Sequence, residues 1–107
     1  MNFLGGEKAL IEGMLDSTAL RHRVIAENIA NTNTPNYRAK EVVWNDHLGK
    51  AVVQEREGAA IRQDGNSVDM ETEQAEMQKN ELVHRLFLQS MFNRVNTMRS
   101  AIRGSGG

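Results

Sequence analysis

The sequence predicts a mainly α-helical fold. Two long terminal helices pair as an antiparallel coiled coil, joined by an extended, partly disordered or loosely β middle segment. Three observations carry this. Apolar residues recur at alternating spacings of four and three in two separate runs, the mark of a heptad seam. The residues between the runs show no helical period. Pro35, the only proline, follows the first run inside Asn31-Thr32-Asn33-Thr34-Pro35-Asn36, a stretch that offers almost nothing to continue a helix. The chain divides accordingly into an N-terminal helix over 1–33, an extended linker or loose hairpin over 34–68, a C-terminal helix over 69–103 and a flexible tail over 104–107.

The first helix follows a short polar lead at residues 1 to 7 and runs from about Lys8 to Asn31. Ile11, Leu15, Thr18, His22, Ile25 and Ile29 form its seam, with Leu10 and Met14 widening the stripe. Acidic Glu7, Glu12 and Asp16 sit early and Arg21 and Arg23 late, in the sense the helix dipole favours. Asn and Thr side chains then compete for backbone hydrogen bonds and end the helix. In the middle, Glu41-Val42-Val43-Trp44 and Ala51-Val52-Val53 read as short extended pieces, and Asn45 to Lys50 as a helical turn between them. Asp64-Gly65 is a turn signal. Asp69 is an N-cap for the second helix, with Glu71 and Glu73 in its first turn. Met77, Glu81, His84, Leu88, Met91, Val95, Met98 and Ile102 make the second seam, and Gly104 follows as a stop. Leu82, Leu86 and Val83 occupy the side opposite Leu88, Met91 and Val95. One partner helix covers about one stripe, so helix two needs more protein than helix one supplies.

At 107 residues, with five aromatic residues, the chain holds one small domain with little bulky apolar material. An elongated helical molecule that completes its core with partners is expected. Thirteen basic and fourteen acidic residues are interspersed, which argues against nucleic-acid binding through a basic patch. There is no cysteine, hence no disulfide framework or thiolate chemistry. No apolar run suffices for a transmembrane segment, and the N-terminus does not read as a cleavable signal.

Chemistry is sparse. His22 and His84 fall on seams of helices expected to pair, and a two-histidine metal or pH-sensing site is weighed against ordinary seam histidines, the preferred reading. The pairs Glu71/Glu73 and Glu55/Glu57 read as solvated charges, since acid–base catalysis needs carboxylates held across a cleft. No Ser-His-Asp arrangement or glycine-rich phosphate loop is present. No catalytic residue, cofactor or metal ligand is assigned. Asn28 and Asn31 suit register-fixing or hydrogen bonding between subunits. Tyr37 and Trp44 anchor the middle segment on the helices or on a neighbour, and for Trp44 simple local packing is the equal alternative.

The stretch Ala26-Glu27-Asn28-Ile29-Ala30-Asn31, two further residues, then Thr34-Pro35-Asn36-Tyr37 resembles the N-terminal signature of flagellar rod and hook proteins. Asn36 stands where that family usually has glycine, and asparagine is the next residue most at ease at positive φ. Asp64-Gly65-Asn66-Ser67-Val68-Asp69, then Met70, Glu73, Ala75, Asn80 and Leu82, and the closing Arg99-Ser100-Ala101-Ile102 are similar to the proximal rod group of that family, the FlgB type. The matched regions cover about two thirds of the chain, and the middle is shorter than usual for the type.

The resemblance implies a structural subunit of the basal-body rod, polymerising through its terminal helices into the drive shaft that transmits torque. It implies export by the flagellar type III apparatus without signal cleavage and a place in the rod in the periplasmic space. Implied partners are copies of the chain, other rod proteins, the ring–rod adaptor, the rod-capping protein and the export apparatus. The motif and seam residues to which interfaces are assigned are Ile25, Asn28, Ile29, Asn31, Thr34, Pro35, Tyr37, Leu82, Leu86, Leu88, Met91 and Val95. Another axial rod subunit is the nearest alternative, a cytoplasmic helical-hairpin adaptor or chaperone the next, and an enzyme a distant third.

Overall fold

The computed structural model describes residues 3–106. Helix α1 spans Phe3–Ala30, strands β1 and β2 span Lys40–Asn45 and Lys50–Glu55, and helix α2 spans Met70–Gly106. The two helices form an antiparallel hairpin. Thr18 of α1 lies against Asn80 and His84 of α2, whereas Asn28, further along α1, meets Glu73, earlier on α2.

Both helices run longer than their patterns predict. Part of the expected polar lead is helical, because α1 already begins at Phe3. Glycine raises the cost of a helix by about 1 kcal/mol per residue but, unlike proline, does not forbid it. The same holds at Gly104, which α2 passes before ending at Gly106. Residues 1 and 2 of the lead, and Gly107 of the tail, lie outside the described residues. The early start leaves no acid in the first turn of α1 and no base in its last, so the expected dipole pattern is not realised there. On α2 it is: Asp69 Oδ1 accepts from the backbone N–H of Glu71 at 3.0 Å, and Glu71, Glu73 and Arg103 occupy the terminal turns.

The middle segment is better built than the sequence suggests. β1 and β2 pair antiparallel over six residues each, from Lys40 opposite Glu55 to Asn45 opposite Lys50. One α-turn joins them: Gly49 N–H donates to Asn45 O at 2.8 Å, and Gly49 takes φ of 64°. The predicted extended pieces and helical turn are thus parts of one regular hairpin. It packs on α1, and residues 66–68 lie buried beneath the chain between them.

The molecule is long and thin, 69 × 28 × 17 Å. Its radius of gyration is 18.7 Å, against about 13 Å for a compact chain of this size. Its accessible surface is 7779 Å², against about 6,000 Å² for a compact protein of equal mass. Among the described residues, the buried apolar side chains are Val24, Ile25, Ala39 and Val68. The polar or charged residues Thr18, Asn28, Asn66, Ser67, Glu73 and Asn80 are buried with them.

Candidate functional site

Those buried polar residues form a clasp where the two helices, the hairpin and the 62–68 loop meet. Asn28 sits in the last turn of α1 and is completely buried. Its amide donates to Lys40 O at 2.8 Å and to Glu73 Oε2 at 3.1 Å. Its carbonyl accepts from Lys40 N–H at 2.9 Å and from the Tyr37 hydroxyl at 3.3 Å. That fills both donors and both acceptor sites of the side chain. Asn28 therefore ties α1 to the start of β1 and to α2 within the chain.

Glu73, also wholly buried, is held by Asn28 on one oxygen and by the Arg56 guanidinium on the other. Arg56 follows β2 and is anchored by its own backbone N–H to Ala39 O at 2.8 Å. The carboxylate brings α2 to both the hairpin and α1. A buried charge persists only when paired and hydrogen-bonded, and Glu73 has both.

Asn66 closes the other side. Its amide donates to the carbonyls of Asn31 at 2.9 Å, Thr32 at 3.3 Å and Thr34 at 2.7 Å. Arg62 adds a bond to Thr32 O. The carbonyls left over at the end of α1 are thus capped from thirty residues downstream. Ser67 Oγ accepts from Ala39 N–H at 2.8 Å, and Ser67 N–H donates to Tyr37 O at 3.0 Å. The two signature stretches, Asn28 to Tyr37 and Asp64 to Asp69, are therefore two halves of one packed unit.

Asn36 adopts φ of 65°, the left-handed turn expected of it. Gly65, at φ of 82°, lies against it. A Cβ on Gly65 would fall 2.2 Å from Asn36 Oδ1, so the glycine is required by both conformation and space. Asp64 Oδ1 accepts from Asn66 N–H at 3.1 Å, and this bond, reinforced by Arg62, holds the Asp64 carboxyl below its ordinary value. Burial pushes the Tyr37 phenol above 10, and the negative charges of Glu27 and Glu73 add to the shift.

The sequence-predicted residues fall into two groups. Ile25, Asn28, Ile29, Asn31, Thr34, Pro35 and Tyr37 belong to α1 and its exit. Ile25 is core at 5% exposure, Ile29 and Asn31 are half-buried, and Thr34 and Pro35 are exposed at the turn. Asn31 caps locally, its amide donating to Glu27 O and its carbonyl accepting from Thr34 Oγ1. On α2, Leu88 and Met91 are half-buried on the face that carries Glu73, Asn80 and His84. Leu82 and Leu86 point away, 56% and 52% exposed. Val95 is exposed as well, at 40%.

The seam also differs from the predicted one. Asn80, not Glu81, occupies the inner position, and His22 is exposed. Polar residues take seam places here: Asn80 donates to Thr18 O at 2.8 Å. Thr18 Oγ1 donates to Leu15 O at 2.9 Å, so toward His84 Nδ1, at 2.6 Å, it accepts, and the Nδ1 proton is assigned. Among the described residues, no three His, Asp or Glu side chains gather to hold a metal. No helix among them is long and apolar enough to cross a membrane. Trp44 is exposed on the hairpin, beside a groove of about 490 Å³ lined by Leu10, Met14, Val83 and Phe87. The sequence reading missed Arg56 and Asn66, and it took Glu73 for a solvated charge, whereas Glu73 is wholly buried and paired with Arg56. Nothing local marks Arg56, whereas Asn66 follows Asp-Gly in the motif that resembles the rod proteins.

No protein-family model matches the chain. Curated relatives do, and all carry the same description, flagellar basal body rod protein FlgB. The chain is 23% identical to that of Bacillus subtilis, over 97% of this chain and 98% of the relative. It is 26% identical to that of Borrelia hermsii, over 81% and 88%, and 26% identical to that of Aquifex aeolicus, over 89% and 91%. The alignment with the Bacillus protein occupies 128 positions, more than the 107 residues here, so that relative carries residues this chain lacks.

Proposed function

We infer that the chain is a FlgB-type member of the flagellar rod proteins, a structural subunit of the basal-body rod that polymerises through its terminal helices. The observation that carries this is similarity to FlgB proteins along nearly the whole chain, joined to a helical hairpin that leaves one side of α2 uncovered. The physics is that of an assembly subunit. The clasp fixes how the two helices and the hairpin sit, while the leucines and the far end of α2 wait for other protein to bury them.

In this reading the two helices form one axial domain and the hairpin is a side element. The protein acts in the rod within the periplasmic space and reaches it through the flagellar export apparatus without a cleaved signal. A thin chain with a small core and no disulfide is suited to passage in a loosely folded state and to ordering on assembly. Neighbours in the rod are copies of the chain, the ring–rod adaptor and other rod subunits, with the rod-capping protein ahead of them. The exposed Trp44 is an anchor for one of these neighbours.

The test is co-purification with basal bodies, together with motility of cells lacking the gene. Deleting residues 24–37, which removes the end of α1 and its exit, is expected to abolish both. Absence of the intact protein from purified basal bodies would refute the assignment.

A further inference from the structure

The two-stranded sheet has two outer edges, and the chain covers them unequally. Antiparallel strands exchange hydrogen bonds at every second residue pair. Arg56 N–H donates to Ala39 O just outside the strands, so the next pair, Lys40 and Glu55, turns its backbone groups outward. On β1 the outward N–H and carbonyl of Lys40 are both taken by the Asn28 side chain. On β2 the outward residues are Ala51, Val53 and Glu55. Among the described residues, nothing hydrogen-bonds to their outward backbone groups.

An open edge is a template for another strand, and folded proteins blunt it with proline, bulges or charges. β2 has charges only at its ends. Its register with β1 is continuous, and Ala51-Val52-Val53-Gln54 is uncharged and free of proline. Val53 is 44% exposed there.

The chain also holds a segment that matches this edge. After β2 a turn at 57–58, with Gly58 at φ of 72°, carries the backbone off the sheet. Residues 59–62 then form neither helix nor turn and join no strand of their own chain. The backbone groups of Ala59, Ala60 and Ile61 have no hydrogen-bond partner among the described residues, and Ile61 is 59% exposed. Main-chain donors and acceptors at two-residue spacing are matched in full by another extended chain. Setting Ile61 of one copy opposite Val53 of another satisfies both backbones and buries both side chains.

We propose that residues 59–61 of one subunit add as a third strand to the open edge of β2 in the next subunit. This rests on the rod-subunit reading and adds a contact outside the helices. The two surfaces differ, so the contact is heterologous and repeats from copy to copy without closing, as a rod requires.

The absence of native cysteine gives a clean test. Val53→Cys and Ile61→Cys chains are produced together in cells lacking the parent gene, and their basal bodies are oxidised. Disulfide-linked dimers holding one chain of each kind are expected, and neither variant alone is expected to link. Ala51→Pro in the Val53→Cys chain removes an outward N–H and none that bonds to β1, so a proline is tolerated there. It should cut the dimer yield at least tenfold while leaving the circular dichroism of the isolated chain unchanged. Glu55→Pro, at the last position of the strand, is a second arm with the same expectation.

Dimers from Val53→Cys alone would mean that two β2 edges pair with each other, and would overturn the proposal. So would links to other proteins only, or a yield indifferent to both prolines. If the parent chain is missing from basal bodies, the rod assignment itself falls. If both cysteine chains are present and unlinked, only the strand contact falls.

Discussion

Glu73 is wholly buried, and three elements meet on it. Removing one member of a buried, hydrogen-bonded ion pair strands the other and costs about 3–5 kcal/mol. Small domains hold about 5–15 kcal/mol in total. Glu73→Ala is therefore expected to leave the chain largely unfolded in isolation, read as loss of the cooperative urea transition. Asn28→Ala leaves Glu73 its arginine and should cost less, about 1–3 kcal/mol for the unsatisfied groups it exposes. If Glu73→Ala melts like the parent chain, the clasp is not what holds the hairpin to the helices.

Tyr37 gives an independent reading of the same place. It is the only tyrosine, so ultraviolet titration of tyrosinate reports on it alone. Its folded-state pKa is raised above 10, because burial and two nearby carboxylates disfavour the phenolate. The neutral phenol thus contributes stability that is fully present below pH 10 and is lost as pH rises through the folded-state value. The native titration midpoint should exceed that of the urea-unfolded chain, and Tyr37→Phe should remove this component of alkaline destabilisation. Equal midpoints in the two states would show the ring to be solvated.

At the scale of elements, the helices, strands and turns were legible because their signals are local. Asp69 at the N-cap, Pro35 after the helix end and Asp64-Gly65 at a turn each act within a few residues. The clasp was legible only in part. Arg56 and Glu73 are seventeen residues apart, and Asn66 reaches its three carbonyls across more than thirty. Hydropathy placed Glu81 in the seam for want of an apolar candidate. Asn80 holds the place because the Thr18 carbonyl is there to receive its amide. A polar seam cannot be read from apolar spacing.

The two helix faces make opposite predictions. Ile25 is buried between elements, so Ile25→Asp places a carboxylate in the core and should unfold the hairpin, with loss of helical circular dichroism. Leu82 is mostly exposed, so Leu82→Asp should change the melting of the isolated chain by no more than about 0.5 kcal/mol. In cells it should nevertheless reduce incorporation into basal bodies and hence motility. Wild-type swimming with Leu82→Asp would remove the outer face of α2 from the assembly surface.

For the whole molecule the deciding quantity is surface. The chain exposes 7779 Å², about 1,800 Å² beyond a compact protein of its mass. A standard interface takes about 800 Å² from each partner, so the excess equals roughly two interfaces per subunit. That number fits a subunit with a neighbour on either side. It also means that part of the native stability resides in contacts between subunits and must follow mass action. The isolated chain should melt at a temperature that rises with protein concentration, and its unfolding should be less cooperative at the dilute end. A sharp melt at one temperature across a hundredfold range of concentration would mean that the hairpin and its clasp suffice alone, and that the surplus surface is only the geometry of a thin molecule.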